Sequence, residues 1–432
     1  MQDLRSTLLA QWPIRFGRRR IAARPAHRPF RRFGLAFLTL AMGVTIIGAT
    51  MNTIFMWRLN EFWSLDQLIA SQAKGAPILY NGLTIEKENN SSFKRHVLAM
   101  AAPEVIAIGS SRSFPVRDYM FRTKFYNFGG RFGRSTNFPL ADLDIKKQEI
   151  LAQPSIRVVL LFLDYFWFMT DVPIGQAATP VTTVRHAPKN RGIALAGDGL
   201  LAHWLRAVAL PRALIRDGVL TWTQYFDVIR GRYPTRRGPI EAVGYSAVLN
   251  GSGIAQDGSY YYLWLKAIDD KAETTCSYLG DFPAKQRLPH GAYRPDQKLD
   301  PAKVAAFKAF VDSLATASVH VVPILPPLPP SMIDRMTGDP SYAFVDQWRT
   351  AMHATFPSVF DFHDIRSLGA TECEFMDDVH GQDVAYMRMF RAMAEREPDL
   401  ARLFDQPLMD QLIGTFAGRR LVTSHGLGQA VR

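Results

Sequence analysis

Two short motifs, far apart in the chain, carry residue types that could do chemistry. One is Gly109-Ser-Ser-Arg-Ser113 and the other is Asp377-Asp-Val-His380. A serine hydroxyl is a weak nucleophile until a base takes its proton, and the base needs a third group to orient it. Ser111 offers the hydroxyl, His380 the imidazole and Asp377 the carboxylate. An aspartate three residues before a histidine, on a turning loop, can fold back onto the ring. It then fixes the tautomer and favours the charged imidazole once a proton has been accepted. The bland reading of the first motif is a tight turn with a serine cap.

Both motifs need elements that bring them together. Residues 105–108 (VIAI) form a short apolar run that reads as a buried strand, broken at Gly109. Pro115 suits the first turn of a following helix. Further strands are predicted at 125–128, 157–163, 319–325 and 359–362, with the apolar run at 157–163 marking a strand covered on both faces. Helices are predicted near 140–152, from Asp300-Pro301 onward, near 342–354 and near 384–394. Strands separated by helices imply an α/β fold with a doubly wound parallel sheet of about five strands. Both motifs then lie at the carboxyl edge of the sheet, where open α/β sheets bind ligands.

Residues 171–295 interrupt this rhythm and are expected to form a mostly helical insertion, or lid, with its helices broken at Pro211. Tyr260-Tyr261-Tyr262 within it could stack on sugar rings or simply pack. Residues 58–95 read as a short helix and a linker, the folded domain as 96–397, and 398–432 as a tail.

The net charge of +12 is not a nucleic-acid signature. Nine arginines against Asp3 before residue 34 account for +8 of it, so the basicity is a tail, 1–32. Residues 33–57 contain no charge and are long enough to cross a bilayer, which takes about 20 apolar residues. Arginines before the stretch and Trp57 at its far end predict a single crossing with the amino terminus in the cytoplasm. No small-residue cleavage site follows, so an uncleaved anchor is expected rather than a signal peptide. The two cysteines, Cys276 and Cys373, make no metal cluster; they either pair or stay as separate buried thiols. No metal is expected, because His96, His186, His203, His290 and His353 lack ligand spacing. His320 is expected to be packed inside its strand, and His363 to be structural.

Gly109-Ser110-Ser111, then Asn127-Phe-Gly129-Gly130-Arg-Phe-Gly133, then Asp377-x-x-His380, each placed just after a predicted strand, resemble the blocks of the SGNH (GDSL-like) hydrolase family. The resemblance covers roughly residues 100–395. It implies a three-layer fold, no cofactor, Ser111 as nucleophile with Asp377 and His380, and an oxyanion held by the amides of Ser111 and Gly133, with Gly130 the alternative. The third block departs. Where the family has Gly-x-Asn-Asp, this chain has Leu161-Phe-Leu-Asp164, and a carboxylate opposes developing negative charge unless it is turned away or protonated. Either another donor such as Arg112 serves, or catalysis is weak or absent; the bland reading of Asp164 is a structural capping residue.

Anchored proteins of this layout resemble periplasmic components of polysaccharide and cell-wall acylation systems of the bacterial inner membrane, which act beside a membrane-bound O-acyltransferase. The resemblance implies transfer of an acyl group, acetyl by preference, to an envelope polysaccharide. A plain esterase and a non-catalytic assembly or binding protein are the alternatives.

Overall fold

The computed structural model describes residues 28–73, 77–82, 90–130, 140–170, 200–237, 240–265, 286–287 and 292–422. Ten strands follow in chain order: β1 Ile78–Tyr80, β2 Val105–Ile108, β3 Phe125–Asn127, β4 Val158–Phe162, β5 Arg236–Arg237, β6 Ile240–Val243, β7 Ser252–Ile254, β8 Tyr260–Tyr262, β9 His320–Leu325 and β10 Phe360–Asp361. The chain divides into two compact units between Met51 and Asn52.

The first unit holds most of one helix, Arg28–Arg58. It is long and apolar enough to cross a membrane, with a mean hydropathy of 1.9 over its most apolar window and none of that window buried. Its apolar side chains point outward on every side, from Phe33 to Ile47. A soluble helix would hide one face.

In the second unit, β2, β3, β4, β9 and β10 form a parallel sheet in the order β10-β9-β4-β2-β3. Successive strand residues alternate between two cores. Ile106, Ile108, Val159 and Leu161 face one of them, with Leu143, Phe307, Phe310 and Trp348 from covering helices. Val105, Ala107, Leu160 and Phe162 face the other, with Val384, Met389, Phe390 and Met409. Covering both faces requires strands that are apolar at every position, which is why 158–162 shows no polar alternation. Each such side chain contributes roughly 1.5–3 kcal/mol by burial. The strand order reverses between β2 and β4. Ser111 follows one of these strands and Asp164 the other, so both stand at the switch point of the sheet.

Several expectations change. Residues 58–95 are more than a linker: they supply β1, the central strand of a second, mixed sheet ordered β5-β6-β1-β7-β8. The insertion is accordingly mixed among its described residues, with four strands beside the helices Leu200–Arg216, Trp222–Ile229 and Tyr245–Asn250. Strands of two to four residues are too short to show a period of two. The helix Leu200–Arg216 runs through Pro211 and ends instead two residues before Gly218, whose φ of +71° is open to glycine. The expected tail is built into the second core as far as Val422, through Leu400, Phe404, Met409 and Leu412. Residues 1–27, 171–199 and 423–432 lie outside the described residues.

Candidate active site

The turn after β2 is fixed from several sides. The Ser110 side chain accepts from the Arg112 amide at 3.1 Å and opens the short 3-10 turn Ser111–Ser113. The Ser113 hydroxyl donates to Ser110 O at 2.8 Å. From β3, Asn127 Nδ2 donates to Ser113 O at 2.7 Å and to Val116 O at 3.0 Å. From the helix Asp383–Arg396, the Tyr386 hydroxyl donates to Arg112 O. Gly129 packs so closely that a Cβ there would stand 1.8 Å from Ser113 Oγ. Ser111 itself is left half-buried, with its hydroxyl free to face the second motif.

The loop carrying that motif is closed by a bridge between Phe375 and Gly381. Asp377 Oδ1 accepts from the amides of Val379 and His380, both at 2.8 Å. Both Asp377 oxygens stand 2.9 Å from His380 Nδ1. His380 Nε2 stands 2.8 Å from Ser111 Oγ. With a proton on Nδ1, facing the carboxylate, Nε2 is the acceptor for the serine hydroxyl. The His380 and Asp377 side chains are 19% and 14% exposed, so a substrate can reach the ring while most of its solvent is excluded.

The structure thus brings together Ser111, Asp377 and His380, residues 269 positions apart at their extremes. The other expected site residues stand differently. The Gly130 amide donates to Gly109 O at 2.9 Å and is therefore occupied. The Gly129 amide is likewise taken, by Asn127 Oδ1 at 3.0 Å. Gly133 lies outside the described residues. The Ser111 amide donates to no group among the described residues and remains open to an oxyanion.

Arg112 is not available as an oxyanion donor. Its guanidinium is buried, with Nη1 on Asp164 Oδ1 at 2.9 Å and Nη2 on Pro326 O and Pro327 O at 2.9 and 2.5 Å. Asp164 does not act as a side-chain cap, because its carboxylate bonds no backbone amide of the turn that follows. It is turned onto Arg112 instead. Burial pushes its carboxyl above the usual range, and Arg112 pulls it partway back. The charge that would oppose an oxyanion is therefore met by a cation at 2.9 Å.

Sequence reasoning missed the surroundings. Tyr386 and Arg117 hold the segment that carries Ser111, and neither belongs to a motif with recognisable spacing. Tyr262 lies near enough to Asp377 for the carboxylate to add to the burial that raises its phenol. The tyrosine run packs: Tyr261 is fully buried under Arg117, whose guanidinium carbon stands 3.7 Å from the ring, and Tyr260 stacks on Phe114 at 5.2 Å. His363 is buried among Tyr165 and Trp348, and burial first, then Arg112, lowers it to about 3, so it stays neutral. His320, at the start of β9, is exposed rather than packed. Among the described residues no cluster of three or more His, Cys, Asp or Glu could hold a metal. Cys373 is disulfide-bonded, and Cys276, the chain's one other cysteine, lies outside the described residues.

No family model, no curated protein and no solved structure matches the chain.

Proposed function

We propose that the chain is a membrane-anchored serine acyltransferase or esterase of the SGNH type, with the helix Arg28–Arg58 as its anchor and residues from 58 onward outside the cytoplasmic membrane. One observation carries the reading: an unbroken relay, Ser111 Oγ to His380 Nε2 at 2.8 Å and His380 Nδ1 to Asp377 at 2.9 Å. In the proposed first step Ser111 Oγ attacks an acyl carbonyl and its proton passes to Nε2. Asp377 holds the imidazolium so formed, and the Ser111 amide donates to the oxyanion, with Gly133 the further donor. His380 returns the proton to the leaving oxygen. In the second step it takes a proton from a sugar hydroxyl, or from water, whose oxygen displaces the acyl group from Ser111, and it passes that proton to the departing Ser111 Oγ. No cofactor is needed. The preferred acyl group is acetyl, the preferred acceptor an envelope polysaccharide, and a membrane-bound O-acyltransferase the preferred donor partner, all on resemblance.

The test is a fluorophosphonate probe on the full chain. It should label the wild type and leave Ser111→Ala unlabelled; equal labelling of both would end the reading. Hydrolysis of p-nitrophenyl acetate that is unchanged by added polysaccharide would select esterase over transferase. A non-catalytic binding role on the same fold is favoured by one observation, that Asp164 stands where the family's oxyanion asparagine is expected and is engaged with Arg112. Full cellular function in Ser111→Ala would select that role.

A further inference from the structure

Outside the helix Arg28–Arg58, five large apolar side chains stand exposed among the described residues, and three of them are Leu205, Val219 and Trp222. All three belong to the helices Leu200–Arg216 and Trp222–Ile229 or the turn between them. This helix pair is fastened to residues 52–55. Asn52 Nδ2 donates to Val208 O at 2.6 Å, Trp204 Nε1 to Thr53 Oγ1 at 3.2 Å, and the Tyr225 hydroxyl to Asn52 Oδ1 at 2.6 Å. Phe55 stacks on Tyr225 at 5.0 Å.

Residues 52–57 end the uncharged stretch, and the exposed Trp57 beside Arg58 marks where such a stretch meets lipid headgroups. Whatever bonds Asn52 and Thr53 directly must sit close to that depth. Among the positions of the longer helix whose side chains are described, the exposed ones are Leu205, Ala209, Arg212 and Arg216. Their spacing puts them on one stripe, apolar at its first end and carrying Arg212 and Arg216 at its second, where Arg216 is paired with the exposed Asp217 at 2.8 Å and Arg212 is the cation left for an anionic surface. Trp222, 61% exposed, extends the same surface with an amphipathic ring. Apolar side chains with arginines beside them, at the end of a membrane-crossing helix, suit the boundary between headgroups and acyl chains better than open water.

We infer that this two-helix face is seated in the headgroup layer of the bilayer, with a phospholipid surface as its occupant. Leu205 and Trp222 enter the upper acyl region and Arg212 meets lipid phosphate. The inference rests on the anchoring proposed above. The seat holds the folded part close to the membrane, so a substrate or acyl donor would be met at the lipid surface.

The test uses the full chain in phosphatidylethanolamine–phosphatidylglycerol vesicles, with and without bromine on the upper acyl carbons. Emission from each of two tryptophans is isolated by difference, using Trp57→Phe and Trp222→Phe. Both components should lose most of their intensity in the brominated vesicles. A quenched Trp57 with an unquenched Trp222 would overturn the seat and leave the anchor standing. If neither is quenched, the anchor fails and the seat with it.

Discussion

Arg112 and Arg117 stand five residues apart in the segment after β2, both buried, each facing a buried aspartate. Their surroundings differ in completeness. Arg117 uses Nε and Nη2 on Asp383 Oδ1 at 3.0 and 2.9 Å, and Nη1 on Phe114 O and Tyr260 O at 3.3 and 2.8 Å. Asp383 Oδ2 accepts from the Tyr119 hydroxyl at 3.0 Å and the Val422 amide at 3.4 Å. Arg112 leaves Nε without a partner, and Asp164 leaves Oδ2 without a hydrogen bond of ordinary geometry, although the Ser110 hydroxyl lies near enough to favour its charge. The complete pair ties the segment after β2 to the closing helix and to the edge strand β8. The incomplete pair joins the carboxyl ends of β2 and β4 with the prolines after β9, from the residue next to Ser111. Buried polar atoms without partners call for a reason, and proximity to reacting groups is one. The two pairs therefore divide the work: one closes the fold, the other holds the turn that carries Ser111.

The harshest way to break that comparison is to remove one partner of the complete pair. Arg117→Ala leaves Asp383 buried without its cation, and breaking such a pair costs about 3–5 kcal/mol. Denaturant unfolding of the full chain in detergent should show a loss of that size. A loss below about 1 kcal/mol would place the pair in the range of solvent-screened surface bridges and remove the contrast.

Replacing both partners separates stability from function. Buried ion pairs exchanged for apolar residues of similar volume are often neutral or stabilising. Arg117→Met with Asp383→Leu should then restore most stability and keep fluorophosphonate labelling. Arg112→Met with Asp164→Leu should also fold, yet label about a hundredfold more slowly, because a nucleophile displaced by about 1 Å loses that much. Equal labelling by both double variants would show that Arg112 does nothing for Ser111 beyond what Arg117 does.

The same contrast separates what was legible in the sequence from what was not. The parallel sheet was readable because β2, β4 and β9 are apolar at nearly every position and alternate with amphipathic helices. The approach of Ser111, Asp377 and His380 was readable because each follows a strand, and parallel strands deliver their ends to one edge. The second sheet was not readable. β1 finds its parallel partner β6 more than 150 residues later, and three residues carry no periodic signal. The partners of Arg117 were hidden for a similar reason. Asp383 is a helix residue like any other until folding brings it within 2.9 Å of the guanidinium. Asp164 could be seen as an anomaly, but its neutralisation by Arg112 depends on a rotamer, and sequence does not show rotamers.

A third buried cation sharpens the comparison with the smallest effect. Lys94 donates to Asn127 O at 3.1 Å and Gly129 O at 2.8 Å, behind the glycine turn, and makes no ion pair among the described residues. Burial, with Lys146 adding to it and Asp257 opposing it, lowers its ammonium from 10.5 to about 7. Burial pulls the Arg117 guanidinium down, but Asp383 facing it outweighs that and raises it above its usual value; Lys94 lacks that help. Below pH 7 the folded and unfolded chains both carry its proton, and the folded state bears the full cost of burying the charge. Between about pH 7 and 10.5 the unfolded chain holds a proton that the folded chain has released. Stability therefore rises with pH across that window, by at most about 1.4 kcal/mol per unit from this one group. Unfolding at pH 6, 7, 8 and 9, on the order of one-unit steps below the onset of tyrosine ionisation near 10, should show wild type gaining on Lys94→Met above pH 7. Curves that stay parallel across the series would mean the amine keeps its proton, and that two backbone carbonyls hold a buried lysine charge as well as an aspartate holds an arginine.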